Sequence, residues 1–393
     1  MRFAGIDIGA ETHVVAMVDG EGETLLKPTK VAEDEAGYAR LLELLGGPSE
    51  LLVAMEATGH YWQNLHGLLS DAGYEVALLN PLRTHRFAGE ELQRTKTDAI
   101  DALGIARFAQ QKRPAPTRLP DEASRELREL VLLRTRTVQE LGDKVRQLHR
   151  AVDLGFPEFT RHVQTLDSEL ALSILSELPT AAAYVRITPV WLTRLKYDGR
   201  HKVGRELAEA LCQAAKVSVG RHHGPAYQTQ VRFACQDIRT LKQRLRELEG
   251  DIEKTLDRHE VGKLLVTIDG IGPQTAARIV ATVGDPARFS SAAALAAYVG
   301  VVPGLKHSGK HTPMRAPLSP IGHAALRSAL WMPVLGAVRR NPWLRAFYAR
   351  LRASGKLPKV ALIAAMRKLL HAVYSVAKHR RPFVAQLASR QEP

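Results

Sequence analysis

The chain has 393 residues, more than one hydrophobic core usually holds, so two or three domains are expected. Apolar residues make up 45% and charged residues 24%, the balance of a folded, soluble protein. The two cysteines, Cys212 and Cys235, are too few and too far apart for a zinc knuckle or a disulfide framework, which predicts a reducing, cytosolic setting. The net charge is +14, but residues 301–393 hold 17 Lys and Arg against a single acid, Glu392, so all of the excess is C-terminal. Solubility or an acidic membrane surface would account for such a segment blandly. Because it also carries Trp331, Trp343, Phe347, Tyr348 and Tyr374, it reads as a folded domain whose partner is nucleic acid.

The chain opens with "FAGIDIGAETHVVAMVDG", where Asp7 and Glu11 interrupt any apolar leader. No later run reaches about 18 apolar residues without Gly, Pro or charge, so neither export nor a membrane span is expected. "RFAGIDIG", "HVVAMVDG" and "ETLLKPTK" read as an antiparallel meander of three strands. A helix over 34–46, a buried strand "ELLVAMEA", a helix near 61–72, a strand "EVALLN" and a helix over 96–111 follow. Together they predict an α/β layer domain over residues 1–115, closed by the Pro-rich "KRPAPTRLP".

Residues 116–262 read as a helical, coiled-coil-like region. In its first long helix, 121–153, Leu127, Val131, Arg134, Val138, Leu141, Val145, Leu148 and Val152 step by fours and threes, with a polar break at Arg134. A second seam runs through Ile238, Leu241, Leu245, Leu248 and Ile252, and the two could pair within one chain or between subunits. Between them, 154–225 reads as an insertion. From 263 to 393 the chain reads as a mostly α-helical basic domain. It begins with "LLVTIDGIGPQTAARIVATVGD", the form of a helix-hairpin-helix whose Gly270 and Gly272 would offer backbone N–H groups to a phosphate.

Four acids stand out in the first domain. Asp7 and Glu56 follow apolar strand residues, while Asp98 and Asp101, three residues apart, share a helix face. Singly, each has a dull explanation as a strand-end cap or a solvated helix position. Jointly they suggest a divalent-metal site, because carboxylates held close repel unless cations lie between them, and two Mg²⁺ can clamp a phosphodiester displacement.

The segments "GIDIG", "MEATG" and "KTDAIDA", with "YVGVVP", "HSGK" and "IGHAALRSAL", strongly resemble the DEDD-type transposases of bacterial insertion sequences, described as bridge-RNA-guided recombinases. The resemblance covers about 1–110 and 263–375. It implies a RuvC-like, ribonuclease-H-type N-terminal domain in which Asp7, Glu56, Asp98 and Asp101 bind Mg²⁺ or Mn²⁺. It further implies a transposase domain with Ser308 as nucleophile, forming a phosphoserine link to DNA in a site composed from different subunits. The partners it implies are donor and target DNA, an element-encoded guide RNA, and further copies of the chain, a dimer assembling to a tetramer. A bacterial cytoplasm, at the nucleoid, is the setting that goes with them. Lys306, His307, Lys310 and His311 flank Ser308, and Lys310, Arg315 and Arg327, with Lys306, are candidate phosphate contacts. Two departures stand out: Ser319, Pro320 and His323 occupy a stretch where the family commonly has a basic residue and an Asn, and 154–225 is longer than expected.

Other readings remain. "GIDIG" also opens actin-like ATPases and sugar kinases, but no convincing second phosphate motif follows. A junction-resolving nuclease would use the acids without Ser308, and a non-catalytic nucleic-acid-binding protein would use neither.

Overall fold

A computed structural model of the protein describes residues 1–90, 97–117, 119–302, 318 and 321–385. The chain divides into two compact units, Met1–Leu119 and Pro120–Pro393.

In the first unit β1 (Arg2–Ile8), β2 (Thr12–Val18) and β3 (Thr24–Ala32) form the antiparallel meander, and β4 (Leu51–Glu56) and β5 (Glu75–Leu79) extend it parallel to β1. The order β3-β2-β1-β4-β5 is consistent with a ribonuclease-H-like sheet. The inner strands are continuous apolar runs because both faces are covered. On one face Ala4, Ile6, Val15, Val53 and Met55 lie with Leu41 and Leu45 of α1 (Glu35–Leu45) and with Leu65 and Leu69 of α2 (Trp62–Asp71). On the other, Phe3, Val18, Leu52 and Ala54 meet Phe87 of α3 (Pro81–Glu90) and Ile105, Ala106 and Ala109 of α4 (Asp98–Lys112). Strand alternation sorts the residues of β1 between these two cores.

Gly5 sets how closely α4 can approach. A Cβ there would stand 2.3 Å from both the Ala102 carbonyl oxygen and the Ala106 amide nitrogen. Gly5 meets 102–106, and Gln110 near the end of the helix donates from Nε2 to the Gly20 carbonyl at 2.7 Å, beside the start of β1, so α4 runs antiparallel to β1.

In the second unit α5 (Glu122–Gly155) and α10 (Pro225–Arg258), 34 residues each, pack side by side. Ion pairs Glu126–Arg258 at 2.6 Å, Arg134–Glu249 at 2.5 Å and Lys144–Asp237 at 2.6 Å show that they run antiparallel within the one chain. Such half-exposed pairs contribute little stability, about 0–1 kcal/mol each, but fix register. The polar break at Arg134 therefore has a partner. Most of the buried apolar contacts lie towards the two ends of the seam: Leu127, Val131, Ile252 and Leu256 at one, Leu148, Val152, Val231 and Ile238 at the other, with Leu241 buried between them. On the outer side of the pair Val138 is 42% exposed.

Each end carries its own core. Residues 154–225, the expected insertion, fold as α6 (Phe159–His162), α7 (Glu169–Glu177), α8 (Pro189–Leu192) and α9 (Arg205–Lys216). Phe156, Phe159, Leu172, Leu175, Tyr184 and Leu211 gather there around the end of α5. Burial pushes the Cys235 thiol of this core up to about 11, so both buried cysteines are packing residues rather than reactive thiols. The other core collects α11 (Glu260–Val266), α12 (Pro273–Val283), α13 (Ala292–Val299), α14 (Ala324–Ala329), α15 (Trp331–Arg340), α16 (Pro342–Ala353) and α17 (Pro358–His379). Among the described residues α17 is the one helix long and apolar enough to cross a membrane, yet its Leu362, Met366, Leu369 and Val373 are buried in this protein core.

A buried clasp joins α5 to the α10–α11 junction. His259 Nδ1 accepts the Gly262 N–H at 2.9 Å, so in the neutral ring Nε2 carries the proton and donates to Ser124 Oγ at 2.8 Å. The Ser124 hydroxyl in turn donates to Asp121 Oδ2 at 2.8 Å. Protons thus run from His to Ser to Asp, the reverse of a nucleophilic triad, and the arrangement caps two helices. Burial holds the His259 pKa below its ordinary 6.5, with Arg380 adding to the shift and Asp121 and Asp285 opposing it. The unfolded chain then takes up a proton that the folded chain refuses, so stability is expected to fall as pH drops below about 6.5. Thermal unfolding midpoints of the wild type and His259→Gln between pH 7.5 and 5 check this: the gap between the two proteins should narrow as the pH falls.

Candidate active site

The parallel register of β1 and β4 brings the first two acids together. Pairs run Arg2–Leu51 to Ile6–Met55, so one step further sets Asp7 beside Glu56 at the C-terminal ends of adjacent strands. Both belong to the face of Phe3, Gly5, Leu52 and Ala54, which is the face α4 covers. The C-terminal edge of parallel strands is where an α/β sheet usually meets its ligand.

Helix α4 supplies the other two. Its sheet-facing stripe is Ala102, Ile105, Ala106 and Ala109, and Asp98 and Asp101 continue that stripe one turn towards the N-terminus. Each two-residue step along β1 matches about four residues of the antiparallel helix. Since Gly5 meets 102–106, Asp7 comes level with the first turn of α4. Thr97 caps that turn, its hydroxyl accepting the Ile100 N–H at 3.3 Å, and two acids there also complement the helix dipole. Asp7, Glu56 and Asp101 are half-buried, and Asp98 is exposed.

Backbone placement therefore brings the four acids to one end of the first unit. Their side chains are not drawn into a cage: among the described residues no group of three or more His, Cys, Asp or Glu side chains is disposed to hold a metal ion. Glu56 Oε1 instead accepts the Thr84 hydroxyl at 2.5 Å, a hydroxyl that also lies 3.0 Å from the Pro81 carbonyl. Thr84, on α3, was not legible as a site residue, because a lone Thr in "NPLRTHRFAG" carries no pattern. An oxygen-only donor set on adjacent strand ends and a facing helix is chemically suited to a hard divalent cation.

In the second unit, Lys306, Ser308, Lys310 and Arg315 lie outside the described residues. Arg327, on α14, points its guanidinium at the Val299 and Gly300 carbonyls, 3.3 and 3.4 Å away at the C-terminal end of α13, where a cation suits the helix dipole. The turn between α11 and α12 buries Ile268 and Ile271. Gly270 has φ +102°, and a Cβ there would stand 2.4 Å from the Ala337 Cβ, so α15 occupies that side of the turn. Gly272 is exposed at the N-cap of α12 with open space around it. Gly270 and Gly272 are both exposed, but only around Gly272 is the space beside the Cα open.

Comparison with known proteins points one way. Residues 4–157 match the model of the DEDD transposase domain of IS110, and residues 262–349 match that of the transposase IS116/IS110/IS902 family. The first match takes in the sheet, α4 and the length of α5. The insertion element IS116 uncharacterized 44.8 kDa protein of Streptomyces clavuligerus is 28% identical, over 97% of this chain and 96% of its own. The pilin gene-inverting protein of Moraxella bovis is 29% identical, over 85% of this chain and 82% of its own. The insertion element IS900 uncharacterized 42 kDa protein of Mycobacterium paratuberculosis is 26% identical, over 96% and 95%. Two family domains in the expected order, flanking the α6–α10 region and accompanied by relatives of matching length, lead to one assignment: the chain belongs to the IS110/IS116 family of insertion-element transposases.

Proposed function

We propose that the protein is a recombinase that cuts and rejoins DNA for the movement of an insertion element, with Asp7, Glu56, Asp98 and Asp101 as the metal-binding set and Ser308 as the nucleophile. The observation that carries the reading is the β1–β4 register, which places Asp7 beside Glu56 on the face covered by α4. Two of the chain's relatives, an uncharacterized protein of insertion element IS116 and a pilin gene-inverting protein, support DNA as substrate.

In this reading the Ser308 oxygen attacks a backbone phosphorus and loses its proton to a base, while the departing deoxyribose oxygen takes one up. A deoxyribose hydroxyl from the incoming strand then attacks the phosphoserine and releases the serine. Bound Mg²⁺ or Mn²⁺ would neutralise charge developing on the phosphate oxygens. Asp7 and Glu56 would hold it from the sheet and Asp101 and Asp98 from the helix, with Thr84 orienting Glu56. The α11–α12 segment, read as a helix-hairpin-helix, would offer the Gly272 end to a phosphate of donor or target DNA. Lys306, Lys310 and Arg315 would bind further phosphates around the serine. The guide RNA, the dimer-to-tetramer assembly and a coiled-coil role for α5 and α10 are expectations of the family resemblance.

The test combines the protein with element DNA, its adjoining non-coding RNA and Mg²⁺, and assays for a protein–DNA adduct on denaturing gels. Wild type is expected to form it and Ser308→Ala is not. Cleavage that persists in Ser308→Ala would replace the reading with a metal-only nuclease, and product formed equally well without RNA would remove the guide.

A further inference from the structure

The second unit contains a cavity of about 150 Å³, far above the ~10–15 Å³ that one water needs on the same measure, walled by α5, α12, α14 and α15. Two guanidinium groups line it, Arg134 from α5 and Arg278 from α12, together with Gln274, Thr275, Leu326 and Pro333. Arg134 is paired with Glu249, at 3.0 Å from Nε and 2.5 Å from Nη2. Arg278 is half-buried, donates from Nη2 to Thr135 Oγ1 at 2.7 Å, and has no carboxylate partner among the described residues. Two cations thus line one pocket, and of the two only Arg134 has a carboxylate partner among the described residues. Burial, and secondarily the Arg134 charge, pull the Arg278 pKa below its ordinary value, so an anion beside it would be favoured.

A protein that needed only a tie between α5 and α12 would be better served by a neutral side chain, since a half-buried cation without a carboxylate to balance it carries a desolvation cost. A guanidinium suits a phosphoryl group, because its planar fork matches two phosphate oxygens. The cavity also borders the first turn of α12, through Gln274 and Thr275, so it opens beside the end of the hairpin that faces solvent at Gly272.

We infer that this cavity is a phosphate site in which Arg278, assisted by Arg134 and the Thr275 hydroxyl, holds a phosphodiester of the bound nucleic-acid backbone. The inference rests on the nucleic-acid reading of the protein but not on its acids or its serine. Arg278 acts in binding and register, outside the reacting atoms.

The experiment measures binding of the full-length protein to a duplex of the element end, without divalent metal, over a series of chloride concentrations. Arg278→Met keeps the stem length and removes the charge, and is expected to weaken binding about tenfold and reduce the slope of log K against log salt by about one. Arg278→Lys should keep the slope while losing part of the affinity. In chloride alone Arg278→Met should unfold at the same temperature as the wild type or higher, whereas a purely structural tie predicts a lower one. An unchanged slope in Arg278→Met, or a lowered unfolding temperature with unchanged affinity, overturns the inference and leaves the recombinase reading intact. Inorganic phosphate that raises the wild-type unfolding temperature at constant ionic strength, while the slope of duplex binding is the same in wild type and Arg278→Met, would assign the cavity to free phosphate instead. A wild type that binds the duplex neither alone nor with the adjoining non-coding RNA overturns both readings.

Discussion

Asp7→Asn and Glu56→Gln are each expected to lower DNA strand cleavage by about a thousandfold or more while leaving duplex binding within about threefold of the wild type. The isosteric amides keep size and polarity but remove the negative charge that would hold a divalent cation at two adjacent strand ends. Asp101→Asn should behave likewise, since its half-buried carboxylate lies on the same stripe of α4 as the residues packed on β1. Thr84→Val, which strips the hydroxyl from Glu56, should cost only about tenfold, the usual scale for a group that orients a ligand. Single-turnover cleavage with Mg²⁺, and a repeat with Mn²⁺, provides the check. Full activity in Asp7→Asn would remove the metal site from the account, whatever becomes of Ser308.

Gly5→Ala is expected to destabilise the first unit by about 3 kcal/mol and to depress cleavage although no acid has been touched. The added methyl would meet the backbone of Ala102 and Ala106 at 2.3 Å, and backbone, unlike a flexible side chain, cannot swing aside. Helix α4 would have to lift from β1, carrying Asp98 and Asp101 away from Asp7 and Glu56. Gly20→Ala is the control, because a Cβ there meets nothing nearer than 3.9 Å, and its effect should stay within about 0.5 kcal/mol. Urea unfolding followed by circular dichroism, with cleavage measured well below the transition, separates loss of stability from loss of geometry. Equal midpoints for the two variants would contradict the close packing of α4.

Much of this architecture is written in local pattern. The apolar runs of "HVVAMV" and "LLVAM", bounded by turn-forming residues, marked β2 and β4, and helix expectations over 34–46 and 121–153 fall within two residues of α1 and α5. The acids were legible because an Asp or Glu ending an apolar strand is conspicuous. What stayed hidden depends on residues far apart in the chain. Thr84 meets Glu56 across α3, His259 meets Ser124 across the length of α5 and α10, and Arg278 meets Thr135 from another helix. No spacing rule reports such meetings. The segment 154–225 looked irregular because its helices are short, yet its buried Phe156, Phe159 and Tyr184 form a core. Arg327 was singled out for its charge, and its contact with the carbonyls that end α13 was not legible in the sequence.

The β1–β4 register also governs which insertions and deletions the gene can absorb. Side chains alternate between sheet faces, so losing one residue inside β4 would send Glu56 to the α1 side and turn Met55 to the α4 side. The same loss in the turn after β2, where Asp19 accepts the N–H groups of Glu21 and Glu23, would reshape a solvent-exposed loop and leave both acids facing α4. Length variation among active copies of such an element should therefore gather at the hairpin tip and be absent from the six residues of β4.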